Sequence, residues 1–279
     1  MNSLGIDSLK LKVAIKGTIE LSSGLHIGVG ESLEVTGTDS PVLRDFNGAP
    51  YIPGSSFKGP FRAAVEAVVR AVGFSPDKLW SCNVLGRDDE KCIYRKEDVY
   101  HAKKSRNTKK ANEPNVEEFL WENSCHICRL FGSPSIASRV KFPDMRIRSE
   151  WKETMFEVRD GVAIDRDSET QKSRALYDFE IVPPGTQFEF KMIVDNPEDW
   201  ELNLLLNCLD MFNKGYISLG GIKSRGLGTV KITLSSLICE TAKSLLGEEE
   251  PELVRGDAAI REKYKKALSD YLKEGGKDV

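Results

Sequence analysis

Residues 24–63 hold three chemistries in one connection. His26 lies among Gly24, Gly28 and Gly30, where small residues allow close backbone approach to a ligand. Imidazole there can contact a phosphate or carry a proton. Asp39 follows in a turn-forming Thr-Asp-Ser-Pro run. A loop carboxylate can hold a divalent cation against a phosphate oxygen or help orient an attacking hydroxyl. Ser55 and Ser56 then open a helix that carries Lys58 and Arg62 four residues apart, on one face. Exposed amides at a helix start attract anions, and nearby cations add to that pull. Far along the chain, residues 219–228 (LGGIKSRGLG) set Lys223 and Arg225 among four glycines, a second loop suited to an anionic backbone. It lacks the Gly-Lys-Ser/Thr spacing of a nucleotide-binding P-loop.

Each of these residues also has a plainer reading. Asp39 suits a turn. His26 can be a loop histidine with its hydrogen bonds met. Lys58 and Arg62 can be solvated charges on a capped helix, and the 219–228 loop can be a tight helix-to-strand turn. Asp45, before Asn47-Gly48, reads as a turn residue of a short hairpin.

Six cysteines raise a separate question. Cys125 and Cys128 form a C-x₂-C knuckle, with Cys82 and Cys92 upstream. Two such pairs fit a tetrahedral structural Zn²⁺ site. The wider first spacing leaves His101 or His126 as substitute ligands. Cys208 and Cys239 lie in apolar runs and read as core residues. The basic run at 103–110 has no interleaved aromatics and reads as solvated surface, with RNA contact secondary.

The elements that must position these groups follow from hydrophobic periodicity. Residues 9–21 alternate and are rich in β-branched residues, predicting a strand. A helix is expected over 57–72, with Phe61, Ala64, Val65, Val68 and Val69 as its apolar stripe and Pro60 in its first turn. Residues 138–148 predict a second strand, placed at an edge by Pro143. Residues 187–194 predict a third strand, 198–214 a helix, and 228–234 a fourth strand. Strand, helix, strand, strand, helix, strand is the ferredoxin-like α+β order, shared with RNA-recognition folds. The surplus falls in the first loop, in an insertion at about 75–135, and in a polar hairpin at about 150–184. The expected division is a domain over 1–237 and a charged helical tail over 238–279.

The chain has 279 residues and a formal net charge of −3. That balance argues against a general nucleic-acid coat and leaves room for a local basic groove. No apolar run reaches membrane-helix length, and the first residues do not have the pattern of a signal peptide, so a cytoplasmic location is expected.

GLHIGVG, TDSPVLRD, PYIPGSSFKGPFRA and LGGIKSRGLG, together with CRLFGSPSIASRVKFPDM and RDGVAIDRDSETQKSRALYDFEIVPPGT, resemble the RAMP superfamily of CRISPR-associated proteins. The likeness is greatest to the repeated backbone subunit of type III effector complexes, of the Csm type. It covers residues 24–228 in the expected order. The resemblance implies a subunit that self-associates as a helical filament along a CRISPR RNA, beside other Cas subunits. It further implies cleavage of complementary single-stranded target RNA with Mg²⁺ or Mn²⁺, the RNA's own 2′-OH being the nucleophile. The family's catalytic acid precedes Ser-Pro-Val, which is Asp39 here. Its RNA-binding histidine matches His26 and its helix-opening lysine Lys58. The remaining RNA contacts are expected from Ser55, Ser56, Arg62, Lys223 and Arg225. A thumb hairpin falls on 159–177, with Arg159 and Arg166 as RNA contacts and Ile164 as a wedge between bases. Two other readings stand beside this one: a non-catalytic structural or end subunit, and a metal-independent CRISPR RNA processing nuclease using His26.

Overall fold

The computed structural model describes residues 8–30, 38–71, 79–83, 92, 120–148, 150–164 and 171–274, the side chains of 153 and 162–176 excepted. Strand β1 (Leu11–Leu21) turns Val13, Ile15, Ile19 and Leu21 into the core. Alternation of this kind buries one side of a strand and solvates the other. Two further strands are β7 (Gln187–Asp195) and β8 (Val230–Thr241), and β1 pairs antiparallel with both. Its register with β8 shifts between Lys16 and Gly17. There a Cβ on Gly17 would lie 2.3 Å from the Thr233 carbonyl, so only glycine fits. Shorter strands close the edges, β3 (Val140–Lys141) beside β7 and β9 (Glu252–Arg255) beside β8. The order is β3-β7-β1-β8-β9, antiparallel throughout. Two ribbons stand apart from this sheet: β2 (Tyr51–Ile52) with β4 (Met145–Arg146), and β5 (Glu157–Ile164) with β6 (Gln171–Ile181).

Helices α1 (Gly54–Ala71) and α3 (Asp199–Asn213) pack on the side of the sheet that carries Phe188, Phe190, Met192 and Val194. Aromatic rings knit the layers together. Phe57 of α1 stacks on Phe212 of α3 at 4.9 Å between centroids and meets Phe190 of β7 edge-on at 5.6 Å. Helix α2 (His126–Phe131) lies against α1. A single turn, α4 (Ala242–Leu245), precedes β9, and α5 (Asp257–Tyr264) and α6 (Ala267–Lys273) pack on α3.

The first helix starts at Gly54, before either serine expected to cap it. The Asp144 carboxylate accepts the Gly54 amide at 2.9 Å, so the cap comes from a distant strand turn. Pro60 therefore lies in the second turn and removes one helical hydrogen bond. The strand expected over 138–148 is two short strands broken at Phe142-Pro143, of which β3 lies at the sheet edge. Strand β8 continues well past residue 234, and the segment beyond 237 is not one solvated helix. It completes β8, adds β9, and buries Ile260, Tyr264 and Tyr271, the last stacked 4.4 Å from Trp200. No helix among the described residues is long and apolar enough to cross a membrane.

Candidate active site and cysteine centre

The segment around His26 runs beside the end of β6. Leu25 exchanges both backbone hydrogen bonds with Val182, at 2.8 and 2.9 Å. The Nδ1–H of His26 donates to the Glu180 carbonyl at 2.7 Å. In the neutral ring Nε2 is then an acceptor, and it faces the Ser40 hydroxyl at 3.3 Å. A Cβ on Gly28 would lie 2.9 Å from this Nε2. His26 is 7% exposed and meets Phe179 edge-on. The ring is enclosed and faces Ser40 beside Asp39.

Asp39 lies one residue before Ser40, at the surface. Its amide donates to Oδ1 of Asp178 at 2.6 Å, and the Asp178 amide donates to Oδ2 of Asp39 at 3.1 Å. The next residues continue the seam. Ser40 accepts the Glu180 amide at 3.0 Å, and Val42 donates its amide to the Glu180 carboxylate at 3.0 Å. Arg44 places Nη2 2.7 Å from both Glu180 oxygens and lays its guanidinium over the Phe156 ring. The loop bearing Asp39 is thus stitched to the base of the β5–β6 hairpin. Asp178 and Glu180 alternate with buried Phe179 and Ile181 in β6, the period-two pattern of a strand with one polar face. That alternation was visible in the sequence, but it did not reveal which loop the polar face meets.

The glycine-rich loop packs against the same place. Gly221 donates its amide to the His26 carbonyl at 2.8 Å, and Gly228 donates to Gly24 at 2.8 Å. Leu227 joins Phe179 and Ile181 in a small apolar cluster, with Ile222 against it. Lys223 and Arg225 sit at either end of one 3₁₀ turn and are exposed. Arg225 donates to the Tyr177 hydroxyl at 2.6 Å, and the Tyr177 ring covers Gly161 of β5. The structure therefore sets the Asp39 loop, the His26 segment and the loop of Lys223 and Arg225 against one end of β6, and adds Asp178, Glu180, Arg44 and Tyr177.

Lys58 and Arg62 lie in a second neighbourhood. The Lys58 ammonium donates to the Ser138 hydroxyl at 2.7 Å. Burial, and secondly the charge of Arg62, lower its pKa. Arg62 donates to the Glu66 carboxylate at 2.7 Å, to the Gly132 carbonyl at 2.8 Å and to Cys128 Sγ at 3.6 Å. Arg62 thus turns towards Glu66 and the cysteines, while Lys58 turns towards Ser138. Ser55 is exposed and Ser56 half-buried at the start of α1.

Cys82, Cys92, Cys125 and Cys128 are buried with their sulfurs within 4.8 Å of one another. The Cys82 and Cys128 sulfurs are 3.6 Å apart, and the backbone amide of Cys125 donates to Cys92 Sγ at 3.0 Å. Hydrogen bonding from Cys128 and the other thiols draws the Cys125 pKa down, while Cys92 and Cys128 are pushed up. Four buried sulfurs this close together are the donor set of a metal centre, and this cluster can hold a metal ion. His126 is not part of it. Its Nδ1 accepts the Trp80 amide at 3.3 Å, its Nε2 faces the Tyr271 hydroxyl at 3.4 Å, and its ring meets Trp200 edge-on. His101, Arg166 and the 103–110 run lie outside the described residues, as does the side chain of Ile164. Arg159 is exposed on β5, 3.5 Å from Glu157.

Known proteins are similar in sequence to most of this chain. A protein of Methanocaldococcus jannaschii, the CRISPR system Cms endoribonuclease Csm3, is 29% identical over 257 residues, covering 87% of each chain. Its namesake in Methanothermobacter thermautotrophicus is 29% identical over 274 residues, covering 88% of this chain and 89% of the other. The Mycobacterium tuberculosis protein of that name is 26% identical, with 80% of this chain and 86% of the other covered. The family model described as the RAMP superfamily matches residues 18–231, which span the Asp39 loop, the hairpin and the glycine-rich loop. The chain belongs to the RAMP superfamily.

Proposed function

We propose that this chain is a CRISPR RNA-binding backbone subunit of a type III interference complex and cuts complementary target RNA through Asp39. Three relatives that match 80–88% of the chain carry the name endoribonuclease, which supports the reading. The observation that carries it is the placement of Asp39: an exposed carboxylate hydrogen-bonded to the base of a long β-hairpin, against which the loop of Lys223 and Arg225 also packs.

In the proposed reaction the 2′-oxygen of the target RNA attacks the adjacent phosphorus. Its proton leaves to a base, the bond from phosphorus to the 5′-oxygen breaks, and that oxygen takes up a proton. The products are a 2′,3′-cyclic phosphate and a 5′-hydroxyl. Asp39 uses Oδ2 for the Asp178 amide and presents Oδ1. One carboxylate oxygen plus substrate phosphate oxygens is a donor set that Mg²⁺ accepts, so the residues fit a divalent cation. When bound there, the cation would neutralise charge building on the phosphate. Lys223 and Arg225 hold the RNA backbone near Asp39, and His26 fixes the Ser40 side of the loop. Lys58 and exposed Ser55, near the start of α1, form a second phosphate contact.

The sheet order β3-β7-β1-β8 is what a ferredoxin-like core requires, with β9 added at an edge. The domain is read as running through β8, with the cysteine region over 75–135 and the thumb over 150–184 as its insertions. In this reading the four cysteines hold Zn²⁺, the subunits associate along the guide, and the complex works in the cytoplasm.

The test is cleavage of a labelled, guide-complementary RNA by the reconstituted complex with Mg²⁺, comparing wild type with D39A. Regularly spaced cuts that vanish in D39A, with target binding kept, are expected. Equal cutting by both proteins would remove Asp39 from the reaction. Binding without any cut would leave a structural subunit.

A further inference from the structure

Asp178 contributes no feature to the sequence motifs around Asp39, yet it holds that residue from both directions. We infer that Asp178 is a positioning residue for Asp39, an inference that rests on Asp39 being the catalytic carboxylate. Asp178 Oδ1 accepts the Asp39 amide at 2.6 Å, and the Asp178 amide donates to Asp39 Oδ2 at 3.1 Å. The first bond fixes the backbone that carries the carboxylate, and the second fixes the carboxylate itself. An exposed aspartate on a loop otherwise samples several rotamers, and ordering it before the reaction removes an entropic part of the barrier.

The support behind Asp178 is a paired strand with a buried face. It belongs to β6, paired with Asp160 across the hairpin and followed by buried Phe179 and Ile181. The next polar residue on its face, Glu180, is fixed by Arg44 and the Val42 amide. Asp39 thus takes its orientation from the hairpin base. The role depends on the acceptor oxygen of Asp178 at its present distance from the backbone. Its negative charge is not what positions Asp39, because an uncharged carbonyl oxygen can accept the same amide.

The experiment uses the assembled complex and measures single-turnover cleavage and target-RNA affinity separately. D178A should slow cleavage by about 10- to 100-fold, the usual effect of losing a residue that orients a reacting group, with RNA affinity unchanged. D178N, which keeps an acceptor oxygen in place, should cut within a few-fold of wild type. The D39A/D178A pair should be no slower than D39A alone. Wild-type cutting by D178A, with D39A inactive, would overturn the inference and leave the role of Asp39 standing. D178N as slow as D178A would also overturn it, because charge would then be what matters. A loss of RNA affinity in D178A that matches its loss of rate would make the residue structural. Should D178A fail to assemble, D178E decides. Its longer stem keeps the charge and displaces the acceptor, so a slow D178E supports positioning and a fast one refutes it. Cutting by D39A at the wild-type rate would instead overturn the reading of Asp39, on which the inference depends.

Discussion

The carbonyl of His26 and the amide of Gly221 meet at 2.8 Å, joining two loops from opposite ends of the chain. The approach is possible because the neighbouring Gly220 has no side chain. A Cβ there would lie 2.2 Å from that same carbonyl, and its φ of +75° already disfavours other residues. Gly220→Ala should destabilise the protein by about 1–3 kcal/mol from backbone strain alone. The measurement is the urea midpoint of the isolated subunit. An unchanged midpoint would show that the two loops separate without cost.

Arg44 and Glu180 form the outer clasp between the first loop and the hairpin. The Glu180 side chain is 12% exposed, so removing its partner leaves a poorly solvated carboxylate. R44A should cost about 1–3 kcal/mol. Hydrogen exchange at the Val42 and Glu180 amides should quicken before exchange in β1 and β7 does. Uniform quickening across the sheet would mean that the clasp serves global stability instead.

Cys128 and Cys208 are both buried, but only Cys128 has other sulfurs around it. Burial raises the Cys208 pKa to about 12, so it remains a core thiol. Purified wild-type protein should carry about one zinc per chain. C128S should lose it and melt at a lower temperature, whereas C208S should keep it. Elemental analysis beside thermal melting, with and without a chelator, reads both effects. Full zinc content in C128S would exclude the cluster as the centre.

Asp195 shows a pH dependence whose sign can be worked out. Burial alone would raise its pKa, but hydrogen bonds from Lys141 and Lys12 outweigh that and lower it. A carboxylate with a depressed folded-state pKa stabilises the fold above its unfolded pKa of about 3.9, and loses that contribution as pH falls through the folded value. D195N should therefore be less stable than wild type at pH 7 by about 1 kcal/mol, a modest figure because both lysines are solvated. The gap should narrow towards pH 3. A constant gap between pH 7 and pH 3 would assign the loss to packing.

Much of the core was legible because long alternating strands and a leucine-rich helix announce themselves. The strand expected over 187–194 is β7, and the helix expected over 198–214 is α3, with Leu202, Leu205, Leu206, Leu209 and Phe212 all buried. The polar hairpin over 150–184 is the β5–β6 ribbon. Failures cluster where a remote residue sets the local outcome. Gly54 begins α1 because the Phe142 carbonyl crosses 1.9 Å from where its Cβ would stand and because Asp144 caps it. Strand β8 passes through Ser235-Ser236, a pair that reads as a break, since the Ser235 hydroxyl donates to the Lys16 carbonyl at 3.1 Å beside the register shift. The tail reads as solvated because its apolar residues are sparse, yet Tyr271 finds Trp200. At the site, Asp39 is marked out only by the resemblance of its TDSPV run to the family motif, whereas Asp178 looks like any polar strand residue. Only the packing of the hairpin on the first loop pairs them.

The central strand also orders events during synthesis. Every partner of β1 in the sheet is made much later, since β7 begins at residue 187 and β8 at residue 230. At about 5–20 residues per second, β1 waits on the order of ten seconds on the ribosome with Val13, Ile15 and Ile19 uncovered. The sheet therefore closes almost at once when the C-terminal third emerges. A stalled or truncated product lacking β8 would expose the flank of the strand nearest the middle of the fold, and such unpaired edges are the ones that aggregate.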